Sequence, residues 1–320
     1  MSRAYVAAIL LAVLLTVTPV AAFTRYDEDS CKIIGDTDIY GIGVRTGYYL
    51  TFSAGVVALI FKDSKGITDC LKLVNIIFAA VLIVLIRNAS IGSFAVLECQ
   101  ISAILVFFLP ATSLIWSSFA VDNPGLASWG FFYILYGIYG VIQPWLFWKL
   151  LNQGRKESCP SFKMFVFAPF DFYNPNYVRA GKLASVILCV GLSAFILIGA
   201  CCIYYGMRGA TSLSGTPFGK VAKRGKDQIK GMMGLAPQEG KKLGRFRAIG
   251  VVAVLASGAH AMVIVEKIIS INHIDLSEVA FTSTGQLIPF LVGLFTFLAT
   301  LWSCLFPKKE NGGESSTNSI

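Results

Sequence analysis

Charge is what this 320-residue chain has least of. Only 14% of its residues are charged, 55% are hydrophobic, and the mean hydropathy is +0.68. That balance excludes a soluble domain of this size. Histidine is almost missing, with only His260 and His273, and the eight cysteines include no CxxC pair. Five of them (Cys99, Cys189, Cys201, Cys202 and Cys304) lie within apolar runs. Metal binding and thiol catalysis therefore have no support, and no cofactor is expected. No P-loop, dinucleotide fingerprint, protease motif or kinase motif occurs.

What the chain does have is apolar blocks of about 20 residues, the length a helix needs to cross a bilayer. The expected fold is all-α, a polytopic membrane protein. The net charge of +9 comes almost wholly from residues 208–247, which hold ten basic residues against Asp227 and Glu239. A basic loop between apolar runs is an orientation signal, so nucleic acid is not an expected partner. Membrane lipids are, with anionic headgroups beside that loop as a secondary contact.

Residues 1–22 have Arg3, an apolar core of about 12 residues, then Pro19 and small residues, which predicts a signal peptide cleaved after Ala22. An acidic lumenal or extracellular segment follows at 23–41. Seven spans are expected at about 42–61, 71–86, 94–119, 129–150, 183–205, 248–271 and 286–306. The tail 307–320 is polar and is expected to be disordered. Seven spans after an exported N-terminus place the 208–247 loop and the tail in the cytosol, within the secretory pathway or the plasma membrane.

One loop disagrees with this orientation. Residues 149–182 fall outside, yet carry six basic residues and two acids. The cysteines support the orientation chosen, because Cys31 and Cys159 alone lie in expected outer segments, where disulfides form. Pairing of these two is one reading; two independent thiols, or an inverted topology that separates them, is the other. Asn88-Ala89-Ser90 is a glycosylation sequon on the same side, close to the membrane.

Ionisable and strongly polar groups inside spans are costly, which makes them candidates for function. Arg45, Glu98, Gln143, Glu266 and Gln286 all fall in the outer half of their spans, with His260 about 9 Å deeper than Glu266. Two readings stay open: a polar ligand pocket lined by these six residues, or ion pairs between spans in which Arg45 meets Glu98 or Glu266. His260 and Glu266 lie about 120° apart around their helix, which argues against a tight pair. The stripe Ala253, Ser257, Ala261 suits close helix packing. Ser102 lies one turn deeper than Glu98 on the same face, and Glu98 with Glu266 are the candidate acids if the protein is an enzyme. The aromatic, proline-rich stretch 159–177 reads as an interfacial anchor or as a lid on an outer pocket. Pro144 and Pro289 are candidate kink sites.

Gly41-Ile42-Gly43-Val44-Arg45 followed by Tyr48-Tyr49-Leu50, together with Gly285-Gln286-Leu287-Ile288-Pro289, resembles a group of filamentous-fungal multi-spanning membrane proteins of uncharacterised function. That group usually has an Asp just before the first motif; here Asp36 and Asp38 precede it. The resemblance implies a fungal integral membrane protein in a setting of specialised metabolism, and supplies no catalytic residues. The expected function is a receptor-like, transport or accessory protein binding a small apolar molecule. The alternative is a membrane-embedded enzyme of lyase or cyclase type acting on a lipid or terpenoid through its carboxylates.

Overall fold

The computed structural model describes residues 33–61, 63–91, 95–109, 126–151, 161–207, 241–277 and 280–306. The expected signal peptide, Cys31 and Cys159, residues 110–119 of the third expected span, residues 208–240 of the basic loop and the tail lie outside them. The chain is a helical membrane protein. Among the described residues, six helices are long and apolar enough to cross a membrane.

A one-turn helix, Thr37–Tyr40, leads into α1 (Ile42–Phe61). Then come α2 (Ser64–Ile91) and the shorter apolar α3 (Val96–Ala103), which continues as a π-helical turn over Ile104–Phe108. Next is α4 (Leu126–Pro144), which also widens into a π turn, Trp145–Lys149. Pro144 has no N–H to give and its ring pushes away the carbonyl four residues back, so the helix is relieved by widening rather than by ending. The remaining helices are α5 (Pro175–Met207), α6 (Lys241–Ile271) and α7 (Thr284–Leu305). Most helices outrun their expected apolar cores because polar first and last turns still satisfy their backbone by staying helical. α6, for instance, begins seven residues before the expected 248, inside the basic stretch.

The aromatic stretch forms a β-hairpin where no strand was expected. β1 (Lys163–Phe165) pairs antiparallel with β2 (Pro169–Asp171), Lys163 opposite Asp171. Phe162, Met164 and Phe172 turn inward while Phe167 at the tip is 85% exposed. A two-residue alternation puts one apolar face on the bundle, and this compensates for the weakness of an isolated ribbon.

Side-chain contacts give the helix directions. Arg45 meets Glu266 and Phe52 meets Gly258, so α1 and α6 are antiparallel. Gly43 and Gly47 meet Gln286 and Pro289, so α1 and α7 are parallel. α4 and α5 are antiparallel, with Gly130 against Gly199, Gly140 against Leu192, and Phe147 against Gly181. The interior between α2, α3 and α4 is aromatic. Phe78 meets Phe107 edge-on at 4.1 Å, and Phe107 stacks on Tyr139 at 3.5 Å.

One end of the bundle is capped by three connections. Ile33 and Gly35 exchange backbone bonds with Asp275 at 2.8 and 2.9 Å. The Asn272 amide accepts from the Lys163 N–H and donates to its carbonyl, both at 2.7 Å. α6 ends at Ile271, and two residues on, His273 has a left-handed φ of 49°. Ile274 N–H returns to Ile269 O at 3.1 Å and His273 N–H to Ser270 O at 3.2 Å, the bonds of a Schellman turn. At the opposite end, Ser303 donates to Asp63 at 2.6 Å.

The packing stripe of α6 differs from the expected one. Ala253 is exposed, and the buried line runs Val254, Gly258, Ala261, Val265, Ile268. Small size suggested the first line, but it is Gly258 against the Phe52 ring that makes the close approach. Asn88 lies half-buried in the last turn of α2.

Candidate functional site

Arg45 enters the bundle four residues into α1, at the capped end, and is only 8% exposed. A buried guanidinium has to be met by acceptors. Its Nε donates to Glu266 Oε1 at 2.8 Å, and its Nη1 donates to the Tyr40 carbonyl at 2.7 Å. Tyr49, one turn further along the same face of α1, donates its hydroxyl to the same Glu266 oxygen at 2.9 Å. The Glu266 side chain is half in the open, at 48% exposure. This is an ion pair with one buried and one solvent-facing partner.

Glu98 is buried in the first turn of α3. Its Oε2 accepts the Ala95 N–H at 3.0 Å, the half of a capping box that a glutamate in this position supplies. Its Oε1 accepts the Tyr40 hydroxyl at 2.6 Å. Ser102 donates to the Glu98 backbone carbonyl at 2.9 Å and so is turned away from the carboxylate. Tyr40 therefore joins both parts: its hydroxyl serves Glu98 and its carbonyl serves Arg45. The two carboxylates share no hydrogen bond with each other among the described residues.

Gln286 is buried at the start of α7, and its Oε1 accepts the Gly43 N–H at 3.2 Å. That N–H belongs to the first turn of α1, where no helical acceptor exists, so the glutamine caps a neighbouring helix. A side chain on Gly43 would stand 2.5 Å from the Gln286 carbonyl oxygen, and one on Gly47 would strike Pro289. The Gly-Ile-Gly-Val-Arg and Gly-Gln-Leu-Ile-Pro stretches are thus two halves of one contact.

Gln143 and His260 stand apart from this group. Buried Gln143 donates to Tyr139 of its own helix at 3.4 Å. His260 stacks on Phe167 at the hairpin tip, ring centres 4.9 Å apart. Four of the six expected pocket residues (Arg45, Glu98, Glu266, Gln286) are therefore gathered around α1, while two are not.

Tyr40 and Tyr49 complete the group; the sequence reading names Tyr49 only within the Tyr48-Tyr49-Leu50 stretch and does not reach Tyr40. A hydropathy scan treats tyrosine as neutral, and what signals Tyr40 is its spacing from Arg45, five residues before it as Tyr49 is four after. Asn75 is a further buried polar residue, in the second span, that the sequence reading does not reach. Its Nδ2 donates to the Ser128 carbonyl at 2.8 Å, and its Oδ1 meets no hydrogen-bond partner among the described residues. A void lined by Tyr48, Thr51, Val74, Ile77 and Val106 holds about 10 Å³, the lower limit for one water.

Compared with known proteins, the chain matches no family model, no curated protein and no solved structure.

Proposed function

We propose that the protein is a non-enzymatic integral membrane protein of receptor-like, transport or accessory type that binds a small apolar or amphipathic molecule between its helices. In this reading the chain crosses the membrane seven times, with the N-terminus outside and the tail in the cytosol. α2 ends and α3 begins at the capped end, and α4 begins beside Gly199 of α5, toward the other end. The seventh crossing of this reading is the third expected span, about 94–119, which α3 opens and of which residues 110–119 lie outside the described residues.

The observation that carries the proposal is that both carboxylates serve contacts between helices and are not brought together as a pair, Glu98 being buried with both oxygens bonded and Glu266 bonded through Oε1 alone. Glu98 holds Tyr40 and the start of α3, and Glu266 holds Arg45 and Tyr49. Acid–base chemistry by two carboxylates needs both to face one substrate. Here Arg45, Tyr40 and Gln286 form a clasp that sets α3, α6 and α7 against α1. α7 packs chiefly on α1, so release of the clasp would open a path between helices for a ligand. The fungal resemblance adds specialised metabolites as the class to examine first.

The test is deletion in the source organism with metabolite profiles of cells and medium taken separately. Finished product retained in the cells, or loss of a response with products unchanged, agrees with the proposal. Loss of product with a precursor accumulating, rescued by the wild-type chain but not by Glu98→Gln or Glu266→Gln, would establish the enzyme instead.

A further inference from the structure

Three cations collect at the ends of α4 and α5: Lys149 in the last turn of α4, and Arg179 and Lys182 one turn apart on α5. The Lys182 ammonium sits 5.0 Å from the centre of the Trp148 ring. Among the described residues none of the three has a carboxylate within ion-pair distance, although Arg45 and Lys72 both do. The nearby acid, Asp171, accepts from the Ser161 hydroxyl and the Tyr173 N–H. This is also the loop whose positive charge contradicts the orientation of the chain. Lys149 and Arg179 are exposed, so the cluster is open to an anion from outside the protein.

Directly along α5 from these cations, the helix surface is apolar and open. Val186 is 43% and Val190 70% exposed on the face that carries Arg179 and Lys182. Trp148, 60% exposed, lies beside the ring-bound ammonium, at the level where tryptophan prefers a membrane interface. Cations at the top, an aromatic ring at the boundary and an unfilled apolar face beneath match an amphipathic anion from end to end.

We propose that the ends of α4 and α5 form a binding site for one anionic phospholipid, its phosphate held by Lys149, Arg179 and Lys182 and its acyl chains lying along α5 past Val186 and Val190. A free phosphate would satisfy the cations and leave the apolar face unused. A zwitterionic lipid would use the face and bring its own cation. Each basic side chain near a headgroup contributes a roughly similar share of the attraction, so removal of two weakens binding by about tenfold or more.

The test is native mass spectrometry of the full-length chain in a neutral detergent, titrated with phosphatidylglycerol, phosphatidylcholine or inorganic phosphate. The expected result is retention of phosphatidylglycerol at about one-tenth the concentration needed for phosphatidylcholine, with no retention of phosphate alone. Arg179→Gln with Lys182→Gln should remove that preference, and Lys267→Gln, an exposed cation on α6, should keep it. Equal retention of the two lipids, retention of phosphate alone, or an unchanged preference in the double variant would overturn the proposal. If the double variant does not fold, Lys182→Gln and the wild-type preference decide the question.

Discussion

Gly47 of α1 and Gly293 of α7 stand backbone to backbone, the Gly47 carbonyl occupying the space that a side chain on Gly293 would need. Gly43 repeats the arrangement one turn earlier against Gln286. In a bilayer the hydrophobic effect does not drive helices together, so close packing of this kind carries much of the association. Gly47→Ala should lower stability by at least about 1–3 kcal/mol, because the methyl meets backbone that cannot rotate away. Gly191→Ala, in open space, should be neutral or stabilising by up to about 1 kcal/mol. Thermal unfolding in detergent compares the two, and equal melting temperatures would refute this account of the α1–α7 contact.

A second prediction follows from the unequal exposure of Arg45 and Glu266. Glu266→Gln leaves a buried guanidinium without its counter-charge. The expected loss is about 2 kcal/mol, below the ~3–5 kcal/mol of a fully buried pair because Glu266 is half in the open. Arg45→Met removes the buried charge and leaves a carboxylate that solvent can reach. The double variant Arg45→Met/Glu266→Gln should therefore be more stable than Glu266→Gln alone. A double variant less stable than either single change would contradict this asymmetry.

How much of this is legible in the sequence depends on the residue. Charge in an apolar run is conspicuous, so the shared depth of Arg45, Glu98, Glu266 and Gln286 follows from residue order alone, and Arg45 with Glu266 is one of the two pairings that depth permits. Depth says nothing about rotation around the helix. This is why Gln143 and His260 fall in with residues they do not join. The same ambiguity separates the packing line of α6, Val254, Gly258 and Ala261, from the small-residue stripe Ala253, Ser257 and Ala261. The hairpin is hidden because Pro169 and crowded aromatics suggest irregular chain, although the inward pair Phe162 and Met164 already carries a two-residue alternation.

The capped end also bears on Cys31 and Cys159, which lie outside the described residues. Ile33 is held to Asp275 and Lys163 to Asn272, so the described segments nearest in sequence to both cysteines meet at the one turn that ends α6. Cys31 is two residues from Ile33, and Cys159 four from Lys163. A disulfide between them is expected, contributing about 2–4 kcal/mol. Non-reducing electrophoresis should show a faster band that is lost on reduction and absent in Cys31→Ser and Cys159→Ser alike. Labelling of both thiols by maleimide in the unreduced protein would rule the bond out.

Neighbouring Asn272 and His273 should respond in opposite directions to substitution. The Asn272 amide is the clamp on Lys163, making two bonds of 2.7 Å to its backbone, and it also donates to Ile268 O at 2.8 Å. Asn272→Ala leaves both Lys163 backbone groups without that partner and frees the hairpin base. Amide exchange over residues 163–171 should rise, while exchange in the α1–α7 contact stays unchanged. His273 occupies left-handed backbone at φ 49°, where a Cβ is crowded and glycine is at ease. His273→Gly should stabilise the turn by about 1 kcal/mol, offset in part by the greater freedom of glycine in the unfolded chain. Exchange at the hairpin should then stay flat or fall. If exchange rises equally in both variants, the hairpin is held by its inward aromatics and not by the end of α6.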